Sequence, residues 1–192
     1  MGYDLVLKPI FSNRVGKLNW FYLWVKKSDY IEKYYGNIRD KYDIIDESIN
    51  YYIGMLEKGI NYLKDYKNYY SRIYIQHDVI LADDYSDFDI KYDVKERDLT
   101  EYLKYLFFFR KYENISEVYS IIEQAGTEFN YELIVARLLL PTHYFQAIEK
   151  YLKGENNFLI DVVERIDMYE QYVNSIVKKI NNFYNKKIVL PF

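Results

Sequence analysis

Seven glycines and three prolines in 192 residues leave this chain few places to turn. Strand-and-turn folds use both residues freely, glycine where φ must be positive and proline where it must be fixed. Long helices with few breaks are therefore the expected architecture. The apolar spacing agrees. From Leu18 to Tyr35, the residues Leu18, Tyr22, Val25, Tyr30, Ile31 and Tyr34 recur at mostly three- and four-residue steps, with Gly36 placed to close the helix. Asp43 is placed to cap a second helix striped by Ile45, Ile49, Tyr52, Ile53, Leu56, Ile60 and Leu63. Gly54 and Gly59 cost that helix stability and mark places where another helix can pass closely.

The texture changes in the middle of the chain. Arg72 to Leu81 is rich in Ile, Tyr and Val, which predicts a short β-hairpin over about 72–89. Asp98 is placed to cap a helix with Leu99, Leu103, Leu106 and Phe107 inward, and Glu101 stands in capping-box position. A short helix ending at Gly126 follows, then one opening at Asn130 or Tyr131 that Pro141 must kink or break. Gly154 closes that element, and 157–183 reads as one long terminal helix. No repeat, linker or boundary divides the chain, so the fold class is mainly α, one domain over 1–192 with a small β insertion.

Composition excludes several functions. With no cysteine there is neither a disulfide framework nor a thiolate metal site. A net charge of −3 supplies no field for nucleic acid. The N-terminus has no basic start before a long apolar run, and Val6 stands where myristoylation needs Ser or Thr. Lys104 and Arg110 interrupt the most apolar helix, "YLKYLFFFRKY", so no membrane partner is expected and the chain reads as soluble. Tyrosine is the outlier, with 25 residues. Codon bias explains it, since Ile, Lys and Asn are also abundant; a contact surface is the functional alternative.

The order of parts resembles the C-terminal lobe of spore coat proteins of the CotS/YutH type, which share the aminoglycoside-phosphotransferase, kinase-like fold. "GKLNWFYLWVKKSDYIEKYYG" is similar to that lobe's early helix. "DFD" at 87–89 and "RDL" at 97–99, followed by "TEYLKYLFF", are similar to a segment in which an aspartate after a short strand binds magnesium and a later Asp-Leu opens a helix. "RLLLPTHYFQAIEKYLKG", the downstream "YEQYV" and the closing "LPF" complete the match. The resemblance implies a helical kinase-like C-terminal lobe and a place in the spore coat or the sporulating mother cell, with other coat proteins as partners. It also sets absences beside the matches. Met1 falls almost where that lobe begins, and there is no GxGxxG, no GxxxxGK[ST] and no Val-Ala-x-Lys strand to clamp a nucleotide.

Phosphoryl transfer needs an acceptor-activating carboxylate and magnesium ligands. In the resemblance, Asp78 of "QHDVILADD" stands for the catalytic carboxylate and Asp87, with Asp89, for the metal site. The match is imperfect. His77 abuts Asp78 without the family's intervening glycine, and no asparagine follows, although Asp83 and Asp84 stand near its position. Only eight residues separate Asp78 from Asp87. The alternative is a solvated acidic turn over 83–89, with Asp93 and Glu96 in water and Arg97 paired to a neighbouring carboxylate. On that basis the expectation is a degenerate, non-catalytic protein without cofactor. Mg²⁺ and ATP belong to the other reading, a lobe of a small-molecule phosphotransferase whose nucleotide-binding part lies elsewhere. A helical phage or mobile-element protein is a third. His77 and His143 are too isolated for zinc, and His143 reads as a satisfied residue at a helix start. Trp20 and Trp24, four residues apart, share a helix face as core or as a docking surface.

Overall fold

The computed structural model describes residues 6–8, 10–36, 38, 41–77, 90–109, 114–155 and 157–190. Among them, strand β1 (Ile10–Lys17) precedes helices α1 (Trp20–Tyr35) and α2 (Asp43–Leu63), then strands β2 (Tyr70–His77) and β3 (Ile90–Asp93). Six further helices follow: α3 (Glu96–Phe108), α4 (Ile115–Ala125), α5 (Tyr131–Leu139), α6 (Thr142–Tyr151), α7 (Asn157–Glu164) and α8 (Ile166–Tyr184). The mainly α expectation holds, with a small antiparallel sheet in the order β1-β2-β3.

That sheet is larger than the expected hairpin. β2 pairs with β3 through Tyr74–Asp93, Ile75–Tyr92, Gln76–Lys91 and His77–Ile90. β1 adds a third strand on the other edge of β2, its register shifting between Phe11 and Val15. The sequence hid β1 because "IFSNRVGK" does not alternate, and none of its eight residues is buried deeply enough to leave an apolar period. Gly16 permits the pairing: a Cβ there would come within 3.0 Å of the buried Ile73 side chain.

α5 is the central helix. Every residue from Leu133 to Leu139 is buried, and Asn130 caps it by accepting from the Glu132 and Leu133 amides at 3.1 and 3.3 Å. Pro141 separates α5 from α6, as its missing donor requires. α2 crosses α5 closely at Gly59, where a Cβ would meet Leu140 Cδ2 at 2.9 Å and the Ala136 carbonyl at 3.1 Å. Gly54 on the same helix has open space, so only one of the two glycines marks a close approach.

Three helix readings are corrected. The buried face of α1 is Trp20, Trp24, Ile31 and Tyr35, while Tyr22, Tyr30 and Tyr34 of the expected stripe are exposed. Asp43 is the first residue of α2, with Tyr42 at the cap position. The terminal stretch is two helices, interrupted at Arg165. There the guanidinium turns onto the C-terminal end of α3, donating to the Phe107 carbonyl at 2.6 Å and lying 4.4 Å from the Phe107 ring centroid. Those carbonyls lack intrahelical donors, which is what the break supplies. A one-residue interruption does not disturb the apolar stripe, so periodicity could not show it.

Many tyrosines belong to this core. Tyr169, Tyr172 and Tyr52 bury their rings and donate to the carbonyls of Leu138 (2.7 Å), Leu103 (2.8 Å) and Val162 (3.1 Å). Each ring fills apolar space while its hydroxyl satisfies a distant backbone acceptor. Tyr22, Tyr30, Tyr34, Tyr42, Tyr70 and Tyr92 remain exposed.

Candidate functional site

Asp93, Glu96 and Asp98 lie where β3 runs into the start of α3, beside the end of β2. Asp98 was expected at the helix cap; instead Lys95 holds that position and Asp98 lies inside the first turn, 1% exposed. One carboxyl oxygen accepts from the His77 backbone N–H at 3.0 Å, and the other lies 2.6 Å from His77 Nδ1. An ionised carboxylate only accepts, so the shared proton belongs on Nδ1. The Asp98 amide donates to the Gln76 side chain at 2.9 Å. Arg97 closes the ring of contacts by donating to the His77 carbonyl and approaching Asp98 at 3.9 Å. The final residue of β2 is thereby held at its amide, carbonyl and ring. Burial raises the Asp98 carboxyl above its usual range, while the His77 bonds and the Arg97 charge pull it back.

Asp93 ends β3 beside this knot. It accepts from the Trp20 indole at 3.0 Å and from the Val94 amide at 2.8 Å, and Arg97 Nε lies 3.7 Å away. The expected pairing of Arg97 with neighbouring carboxylates is therefore present. Asp93 and Glu96 do not sit in water as the solvated-turn reading required. Glu96 is 4% exposed and accepts from the Asn130 amide at 2.8 Å, tying α3 to the cap of α5. Burial raises its carboxyl, opposed by that backbone bond.

A second buried layer lies one turn further along α3. Glu101, expected in a capping box, instead receives Arg137 Nε at 2.7 Å, and the Arg137 guanidinium lies 4.6 Å from the Trp20 ring centroid. Burial works to raise the Glu101 carboxyl, yet Arg137, with Lys104 and Arg97 behind it, carries it down to about 2. Lys104, 1% exposed, donates to the Leu140 carbonyl at 2.7 Å and to Thr142 at 3.3 Å, bridging the break at Pro141. Burial lowers its ammonium to about 7. His143 does begin α6, but its ring nitrogens have no hydrogen-bond partner among the described residues. It packs edge-on to Phe108 at 4.5 Å, and burial lowers it to about 3. It is a neutral packing residue.

The positions assigned to chemistry, Asp78, Asp83, Asp84, Asp87 and Asp89, lie outside the described residues. Among the described residues no group of three or more acidic or histidine side chains is placed to hold a metal. The residues that the sequence understated are His77, Arg97 and Asp98. Their signal was a histidine ending an apolar strand and an Arg-Asp pair ahead of an apolar helix, 20 residues apart. Only the hairpin brings them together.

Comparison with known proteins identifies the family. Residues 5–183 match the family described as "Spore coat putative kinase YutH". The chain belongs to the YutH spore coat family. It is 25% identical over 220 aligned positions to the endospore coat-associated protein YutH of Bacillus subtilis, with 99% of this chain and 63% of that protein covered. The chain thus spans less than two thirds of the length of the curated relative it matches. No solved structure matches it significantly. No helix among the described residues is long and apolar enough to cross a membrane. Membership sets the chain among spore coat-associated proteins, in agreement with the resemblance drawn from its motifs.

Proposed function

We propose that this chain is a kinase-like scaffold of the spore coat, acting through contacts with other coat proteins and without phosphoryl transfer. One observation carries this reading: the described carboxylates at the hairpin end are each committed to an internal partner. Asp93 serves Trp20 and Arg97, Asp98 serves His77, Glu96 serves the α5 cap and Glu101 serves Arg137. A carboxylate engaged in this way is a poor magnesium ligand, because a hard cation would have to displace bonds that hold helices together. The exposed tyrosines and the apolar residues of β1, with Val15 at 72% exposure, offer contact surface for partners. Kinase-like ancestry is compatible with a structural role, since a fold does not dictate chemistry.

A second reading has its own support. Asp98 and Arg97 fix both the amide and the carbonyl of His77, and Asp78 is the next residue. Such anchoring is what an acceptor-activating carboxylate needs, and Asp87 or Asp89 would then hold magnesium for a nucleotide bound by another part of the protein. Calorimetric titration with ATP and Mg²⁺ separates the two. The scaffold reading expects no saturable heat in the presence of Mg²⁺. Binding that Asp87→Ala abolishes would replace it with the phosphotransferase reading.

A further inference from the structure

A cleft of about 280 Å³ opens between α1 and α6. Helical spacing builds both walls: Trp24, Lys27, Ile31 and Tyr35 along one face of α1, and Thr142, Phe145, Gln146 and Glu149 along one face of α6. The floor is apolar, with Trp24, Ile31, Tyr35 and Phe145 each at most 7% exposed. The rim is polar and exposed, carrying Lys27 on the α1 side and Glu149 with Gln146 on the α6 side.

Three features of this cleft ask for a ligand. Lys27 and Glu149 line one small mouth with opposite charge, yet neither makes an ion pair with a described residue. Glu149 is close enough to influence both Lys27 and the Tyr35 hydroxyl. That hydroxyl, on a side chain only 1% exposed, has no hydrogen-bond partner among the described residues, and neither has the Trp24 indole N–H. Lys27 meanwhile rests its ammonium 4.7 Å from the Trp24 ring centroid, which holds the charge at the mouth.

The charges restrict what fits. A simple anion would meet Glu149, and a simple cation would meet Lys27. A molecule carrying both charges a few bonds apart satisfies each, and an apolar remainder covers the floor. The volume lies near the lower end of small-ligand pockets, about 300 Å³, which suits a compact ligand. We propose that this cleft binds a free α-amino acid with an apolar side chain, its carboxylate beside Lys27, its ammonium beside Glu149 and its side chain on the Trp24–Ile31–Tyr35–Phe145 floor. The site does not depend on the scaffold reading above.

The test is titration of the full chain with L-phenylalanine and L-leucine, followed by calorimetry and tryptophan fluorescence. Three analogues accompany them: 3-phenylpropanoate, phenethylamine and N-acetyl-phenylalanine amide. Saturable binding of the amino acids is expected, with each analogue weaker by about tenfold or more, because each lost charge removes a charge-assisted bond. Glu149→Gln should abolish the preference for L-phenylalanine over 3-phenylpropanoate, and Lys27→Met its preference over phenethylamine. Both positions are exposed, and an unchanged melting temperature shows that each variant is folded. Absence of saturable amino-acid binding overturns the proposal. So do analogues that bind as tightly as the amino acid, or affinities that neither substitution moves.

Discussion

Replacing Asp98 by alanine tests the central knot most directly. The substitution removes the acceptor for the His77 amide at 3.0 Å and for its ring nitrogen at 2.6 Å, and it takes away the nearest carboxylate to Arg97 on the α3 side, at 3.9 Å. A hydrogen bond to a charged group is worth about 1.5–3 kcal/mol, and breaking a buried charged pair costs about 3–5 kcal/mol. The contributions overlap, so the expected loss is about 3–5 kcal/mol rather than their sum. For a chain of this size, each kcal/mol moves the midpoint by about 2–4 °C, giving a fall of about 10 °C in thermal unfolding. Asp43→Ala, at an exposed position in the first turn of α2, is the control and should change stability by no more than about 0.5 kcal/mol. A double-mutant cycle with His77→Ala should return a coupling of at least about 1 kcal/mol. If Asp98→Ala melted within about a degree of the parent, the knot would not be holding the end of β2 at His77 to α3.

Three further outcomes follow from the buried layer and the helix crossing. Glu101 has a folded value depressed to about 2, so its contribution is complete above its unfolded value of 4.5 and is lost as pH falls towards 2. Acid titration of stability should therefore show a loss of about 2–3 kcal/mol across that window, absent in Glu101→Gln. Lys104 is the opposite case: its depressed folded value, about 7, means the unfolded chain binds more protons above that pH. Stability should rise with pH between about 7 and 9.5, and Lys104→Met should flatten that slope in denaturant titrations. On α2, Gly54→Ala should stabilise by about 0.5–1 kcal/mol, because its Cβ enters open space, whereas Gly59→Ala should destabilise by driving into Leu140 and the Ala136 carbonyl. Thermal melts giving both substitutions the same sign would contradict the described crossing.

The helices were legible because their apolar stripes are long and their breaks are chemical. Pro141, Gly126 and Gly154 stand where the chain leaves its helices, the two glycines at positive φ of 78° and 93°. The interruption at Arg165 was not legible, since it depends on the carbonyls of Phe107 and Phe108 lying within reach. Strand β1 was hidden for a similar reason: its partner lies far along the chain, as in the Ile10–Ile75 and Val15–Arg72 pairs, and the strand itself is mostly exposed. The site shows the same division. Arg97 was read correctly as a carboxylate partner, because acidic residues crowd it in the chain and Asp93, four residues back at the end of β3, lies within reach. Asp98 was misread as a cap, since a carboxylate near a helix start serves equally well as a cap or as the anchor of a distant strand.

The amino-acid order alone settled the helical class, the inward faces of α2 and α3, the break at Pro141 and membership in the YutH family, all of which rest on local spacing and on motif order. Tertiary structure decided which carboxylates are available. Asp93, Glu96, Asp98 and Glu101 carry the same chemical label in the chain, and each is turned into a structural group by a partner 4 to 73 residues away. The reason is physical: a carboxylate's role is set by the donors that surround it after folding, and long-range donors leave no period in a sequence.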